Sequence, residues 1–326
     1  MLTVGVDVGG TSVRAGIVDK YGDLLDVTRT DTPADERSLE DAVVASVTEL
    51  TGRHRVAAVG LAVAGFVAED QRTVRFAPHL AWRGAPVADR VAGRVRLPVV
   101  LEHDVNAAAL GEYRFGAARG AKVAVMIALG TGIGGALLQE GSLFRGAHGV
   151  APEFGHLRLV PGGRPCPCGK NGCWERYCSG TALATTAIEL LARSPGGASL
   201  SHAGTITGRR VAAAARDGDP VAERAMAELA RWLGEGLALI ADLYDPDLVV
   251  IGGGVSESAP LFLDDARDHY AKALTGAGHR PLARIRSAQL GGDAAIVGAA
   301  IIAAESVRHV LPLSPRMRNT LSARRR

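Results

Sequence analysis

The sequence predicts an α/β protein in two lobes, and three observations carry that expectation. Its 326 residues suffice for one large or two ordinary domains with a substantial core. A strand, glycine turn, strand pattern occurs twice, far apart, once near the N-terminus and once near the middle of the chain. Between and after these hairpins, short apolar strand patterns alternate with helical ones. Composition agrees: 47% hydrophobic and 22% charged residues, with 41 glycines lacking a three-residue period, exclude a disordered or collagen-like chain.

In chain order, Val4, Val6 and Val8 alternate with Gly5 and Asp7 as a strand. Gly9-Gly10-Thr11 turns, Val13–Val18 returns, and Tyr21-Gly22-Asp23 leads into a third strand over Leu24–Arg29. The order repeats in Val123–Leu129, Gly130-Thr131-Gly132, Ile133–Gln139, Glu140-Gly141 and Ser142–Arg145. Ala57–Val63 and Val99–Glu102 read as buried strands, and Val105–Phe115 as a helix starting just after Asp104. Leu229, Leu233, Leu237 and Ile240 mark an amphipathic helix ending before Asp245-Pro246. Leu248–Ile251 is a strand entering Gly252-Gly253-Gly254, Asp293–Ser306 is a small-residue helix, and Pro312 and Pro315 end regular structure.

The net charge is +3, but six arginines from Arg308 onward lie in an acid-free tail, and without them the body carries −3. A body of that sign is no electrostatic footprint for nucleic acid, and the tail reads as a solvated end. No apolar run approaches a membrane span, and Met1–Val6 has no basic leader ahead of its strand pattern. The four cysteines all fall between Cys166 and Cys178, too local for a disulfide framework. A cytoplasmic protein with a metal site, no nucleic-acid partner and no membrane association is expected.

Three glycine turns, Gly9-Gly10-Thr11, Gly130-Thr131-Gly132 and Gly252-Gly253-Gly254, offer backbone N–H groups to an anion. Gly130, Gly132 and Gly135 fit the dinucleotide fingerprint, with Glu153 near the place of a ribose-binding acid. Only Ala136–Glu140 separates that match from Gly141, too short for the helix such a site requires, which speaks against an NAD-dependent oxidoreductase. Cys166, Cys168 and Cys173 supply three thiolates for a structural Zn²⁺, and on spacing either His156 or Cys178 completes the set. Asp104 follows an apolar strand and opens a helix, a place for a catalytic carboxylate and also for a helix cap.

These residues carry a resemblance. Val4-Gly5-Val6-Asp7-Val8-Gly9-Gly10-Thr11, Ile127–Gly135 with Glu153-Phe154-Gly155-His156, and Cys166-x-Cys168-Gly169-x-x-Gly172-Cys173-Trp174-Glu175 resemble the ROK family of sugar kinases, nearest its bacterial glucokinases. The resemblance runs from Val4 to about Ala304. It implies an actin-like ATPase (RNase H-like) fold, two lobes with a ligand cleft between them, and a homodimer. One lobe would comprise 1–118 and 297–326, completed by the C-terminal helix. The other, 119–296, would hold the zinc motif and nucleotide site.

The reaction implied is ATP-dependent phosphorylation of a sugar 6-hydroxyl with Asp104 as base. Asp7 would help hold Mg²⁺, and Asp7, Gly9, Gly10, Thr11, Gly130, Thr131, Gly132, Gly253 and Gly254 would hold the nucleotide. Gly65, His79, His103, Asp104, Glu153, His156 and Glu175 would bind the sugar, and the resemblance puts zinc on His156, Cys166, Cys168 and Cys173. A sugar-sensing regulator of the same family is disfavoured, because such repressors carry a helix-turn-helix ahead of the first hairpin and Asp7 follows Met1 too closely for one.

Departures from the pattern bear on substrate. His103 stands where the family's glucokinases carry asparagine before the catalytic aspartate, and His79 follows Pro78 where they carry another. Asparagine offers a fixed donor and acceptor, whereas imidazole is bulkier and its charge can switch. The two changes favour glucose analogues altered near C3, such as the 3-amino sugar kanosamine. Ser12 replaces the usual lysine near the phosphates, with Arg14 as a compensating cation.

Overall fold

The computed structural model describes residues 1–193, 200 and 204–310, so Pro312, Pro315 and all of the basic tail beyond Val310 lie outside the described residues. Its contacts divide the chain into two units, one of 1–108 with the described residues from Ala295 onward, the other of Ala109–Ala294.

The first unit opens with β1 (Thr3–Val8), β2 (Ser12–Val18) and β3 (Leu24–Asp31), followed by α1 (Glu36–Arg53) and β4 (Val59–Val63). Three short strands, β5 (Phe66–Val67), β6 (Val74–Phe76) and β7 (Arg83–Ala85), lead to α2 (Val87–Val95), β8 (Val99–His103) and α3 (Asp104–Phe115). The main sheet has the order β3-β2-β1-β4-β8, antiparallel across the hairpins and parallel where β1, β4 and β8 pair. All five residues of β4 are buried, as a central strand covered on both faces must be. α1 starts at Asp35, whose carboxylate accepts the Ser38 N–H at 2.9 Å, and buries Leu39, Val43, Val47 and Leu50 at helical spacing.

The other face of that sheet is seated by glycine. Gly5 and Gly60 lie side by side in the β1–β4 register, and a Cβ at either would strike the backbone of α8 (Ala294–Val310), at Ile296 and Ala299. With no side chains in the way the helix packs directly on the strands, and Thr3 Oγ1 donates to Ala300 O at 2.9 Å.

The second unit repeats the order. β9 (Val123–Leu129), β10 (Ile133–Gln139), β11 (Ser142–Leu143), β12 (Leu248–Gly252) and β13 (Arg284–Ser287) form a sheet β11-β10-β9-β12-β13. α4 (Gly180–Arg193), α5 (Gly208–Arg216), α6 (Pro220–Tyr244) and α7 (Leu263–Ala273) complete it. Leu229, Leu233, Leu237 and Ile240 of α6 are all at most 1% exposed, so the expected apolar stripe is the core face. α6 ends at Asp245 in the left-handed conformation.

Some boundaries differ from those expected. β11 is two residues long because Glu140 and Gly141, both at positive φ, turn the chain tightly and pairing lasts only through Leu143. α3 begins at Asp104 itself. The contact division falls within α3, whereas the sequence reading put the boundary at 118. Ala107 packs under Gly298 of α8 in the first unit, and Glu112 belongs to the second. The fully buried Glu112 carboxylate accepts the N–H groups of Ala117, Gln289 and Leu290 at 2.7 to 2.9 Å.

Candidate functional site

In the first unit, β1 delivers Asp7 directly opposite Arg14 of β2. The Gly9 N–H donates to Ser12 O at 3.1 Å across the turn, and Thr32 Oγ1 donates to Gly9 O at 2.6 Å. A Cβ at Gly10 would lie 2.9 Å from His79 Cβ, so this glycine turn rests on His79. Gly65 sits between β4 and β5, and a Cβ there would come within 2.7 Å of both Phe76 O and Ala77 Cβ.

At the end of β8 the chain passes straight into α3, which puts His103 and Asp104 at the junction. Asp104 Oδ1 accepts the Val105 N–H at 2.8 Å and lies 3.2 Å from His103 Nε2. His103 therefore faces the expected base itself, a contact the spacing does not announce. The Asp104 side chain remains 30% exposed.

Burial, with the Asp104 charge adding to it and Arg14 opposing, pushes the Asp7 carboxyl up to about 7. The folded state thus binds this proton more tightly than the unfolded chain, where the value is 3.8. The contribution of Asp7 to stability accordingly falls as pH rises from about 4 to about 7 and stays unfavourable above that. Asp7→Asn is expected to raise Tm by a few degrees at pH 8 in Mg²⁺-free buffer, the gain vanishing towards pH 4; thermal unfolding at both pH values measures it.

Sequence reasoning passed over Glu102, Gln71 and Asn106. Glu102 is 3% exposed, and its Oε1 accepts the His103 N–H at 3.1 Å and Asn106 Nδ2 at 3.0 Å. Gln71 Nε2 donates to Glu102 Oε2 at 3.2 Å. A buried carboxylate one residue before His103-Asp104 fixes the start of α3. A glutamate ending an apolar strand, with asparagine four residues on, was the available signal.

In the second unit two groups meet. Gly130 N–H donates to Gly132 O at 3.0 Å, closing the turn between β9 and antiparallel β10. No helix follows this turn, which confirms that the fingerprint match is accidental. Gly253, at positive φ, packs on Leu129, where a Cβ would lie 2.8 Å from its N. Gly180, missed from sequence, donates its N–H to Gly130 O at 2.8 Å from the start of α4. Gly130, Thr131, Gly132, Gly253 and Gly254 are thus gathered with the N-terminus of a fourteen-residue helix, whose dipole favours an anion.

The second group is the cysteine knot. The ligand atoms of His156, Cys166, Cys168 and Cys173 all lie within 4.8 Å of one another. Tetrahedral zinc with Zn–S bonds of ~2.3 Å sets sulfurs about 3.8 Å apart. Cys168 Sγ is 3.6 Å from Cys173 Sγ, and Cys166 Sγ is 3.8 Å from His156 Nδ1, so the set fits the ion. Cys178 stands apart: it is fully buried in the core, with Sγ towards Leu229 O. Burial raises the Cys166 and Cys173 thiols above their ordinary value, while the Lys170 N–H and the neighbouring thiols outweigh burial at Cys168 and lower it. His156 turns Nδ1 towards Glu175 Oε1 at 3.7 Å and Nε2 towards Glu153 Oε2 at 3.8 Å. The knot thus holds Glu153, His156 and Glu175 together.

Residues 3–306 match the ROK family. The chain belongs to it. Within this family it is 45% identical over 310 residues to a glucokinase of Streptomyces coelicolor, covering 93% of this chain and 98% of that one. A crystal structure of a ROK family glucokinase from Streptomyces griseus, in complex with glucose and AMPPNP, superposes with a TM-score of 0.85 at 46% identity, covering 94% of this chain and all of that one. A ROK hexokinase from Thermus thermophilus gives a TM-score of 0.81 at 33% identity, covering 95% and 100%. The two units are those of the actin-like ATPase fold of ROK glucokinases, which the family resemblance implied, and each carries one of the two hairpins.

Proposed function

We propose that this ROK protein is an ATP-dependent sugar kinase that transfers the γ-phosphoryl group to the 6-hydroxyl of glucose or of a glucose analogue altered near C3. The observation that carries the reading is the gathering of Gly130–Gly132, Gly253 and the start of α4 in a chain similar over 93% of its length to a glucokinase.

Asp104 takes the hydroxyl proton as the oxygen attacks the γ-phosphorus, and the bond to the ADP oxygen breaks. Asp7, a half-buried carboxylate with hard oxygen donors, suits Mg²⁺, which would neutralise charge on the phosphates when bound. Glu153, His156 and Glu175 bind sugar hydroxyls, held in place by the zinc knot. The glycine turns receive the nucleotide. A cluster of reduced thiols suited to zinc fits the cytoplasm. An ADP-release assay against glucose, mannose, glucosamine, N-acetyl sugars and 3-amino-3-deoxyglucose tests the reading, and release with none of them overturns it.

The substrate preference rests on the histidines. With His103 against Asp104 and His79 beneath Gly10, both imidazoles occupy the surroundings of the base and the first glycine turn. Replacing both by asparagine is expected to shift the kcat/KM ratio towards glucose by about tenfold or more, since a site built for one hydrogen-bonding group rejects its analogue. An unchanged ratio would show that the histidines do not set the substrate.

A further inference from the structure

Glu175 faces two ways. Its Oε1 lies 3.1 Å from Cys166 Sγ and 3.7 Å from His156 Nδ1, within the cysteine knot. Its other oxygen lies against Gly132, where a Cβ would strike Oε2 and come 3.5 Å from Cδ. One carboxylate therefore fills the space between the knot and the glycine turn, and the turn accommodates it because Gly132 has no side chain.

A second path runs through the backbone. Glu175 O accepts Ser179 Oγ at 2.8 Å, Ser179 Oγ accepts the Ala182 N–H at 3.1 Å, and Gly180 N–H binds Gly130 O at 2.8 Å. Both ends of the Gly130–Gly132 turn are thus fixed from the segment that begins at Cys173. That segment is itself rigid. Trp174 is fully buried, donates from Nε1 to Trp232 O at 2.7 Å, and fills the space over Gly236. A shift at Cys173 is transmitted along such a segment, because a packed interior leaves little room to absorb it.

We infer that Glu175, besides any contact with sugar, is a positioning residue for the phosphate-binding turn, so that metal in the cysteine knot raises nucleotide affinity in the absence of sugar. This rests on the reading of Gly130–Gly132 as the nucleotide's turn and of the knot as a zinc site. Metal removal frees Cys166, Cys168 and Cys173 from a common centre, lets the segment from Cys173 to Gly180 shift and carry Glu175 with it, and leaves the turn to widen. Preorganisation of the anion cradle is lost, and with it affinity.

The test is ADP binding without sugar, by calorimetry on the full chain, zinc-loaded, chelated and reloaded. Chelation is expected to weaken ADP binding by about tenfold, as loss of supporting groups around a site does, and zinc to restore it. Zinc-loaded Glu175→Ala should retain its metal yet bind ADP several-fold more weakly, and chelation of this variant should add less than it does in wild type. Wild-type ADP affinity in zinc-loaded Glu175→Ala overturns the inference, and this arm decides even if chelation unfolds the protein. If the zinc-loaded wild type binds ADP and phosphorylates sugar, such a result leaves the kinase reading standing. If it binds no ADP, that reading falls as well.

Discussion

Asp104→Asn is expected to cut turnover by about a thousandfold while sugar and ADP still bind, the range a lost general base commands. The geometry explains why binding survives. Asp104 Oδ1 accepts the Val105 N–H and meets His103 Nε2, and an asparagine oxygen can occupy the same place. What asparagine lacks is the capacity to take the hydroxyl proton. Steady-state kcat, with calorimetric titration of sugar and of ADP, separates the two effects. A variant turning over at the wild-type rate would reduce Asp104 to an acidic residue in the first turn of α3.

The wild type is expected to purify with one Zn²⁺ per chain, and Cys168→Ser to lose most of that zinc and much of the sugar affinity. A structural metal contributes folding free energy to the loops it closes. Here the loops are those that carry Glu153, His156 and Glu175, so disorder spreads to all three. Metal analysis and glucose titration read the outcome. His156→Ala should lose the metal and Cys178→Ala should keep it, because Cys178 Sγ faces Leu229 O in the core. Metal-free protein acting at the full rate would overturn the role given to the knot.

Much of this was legible in the chain. The two hairpins were read from alternation and glycine turns, the α6 stripe from helical spacing and the strand before Asp104 from a short apolar run, and each lies where expected within a few residues. The strands β5, β6 and β7 were not, since two or three residues carry no period. Glu102 was missed for a related reason. Asn106, four residues on, was its one local signal, and its other partner, Gln71, lies 31 residues back, where no local pattern links the two.

By itself the sequence determined what depends on neighbours along the chain: the strand periodicity, the turns at Gly9–Thr11 and Gly130–Gly132, and a metal motif of three close cysteines. Tertiary structure decided what depends on groups far apart. Spacing left both His156 and Cys178 open for the fourth ligand position, with Cys178 the nearer in sequence, and only the family resemblance favoured His156. Packing separates them, because α6 draws Cys178 into the core while the turn at Phe154–His156 brings His156 Nδ1 to the thiols. Gly5 and Gly60 read as ordinary strand residues until α8, more than two hundred residues away, is found lying directly on them. Gly132 read as a turn glycine, yet the oxygen that fills the space beside it belongs to Glu175. In each case the deciding term is excluded volume between distant segments, a quantity that exists only once the chain has folded.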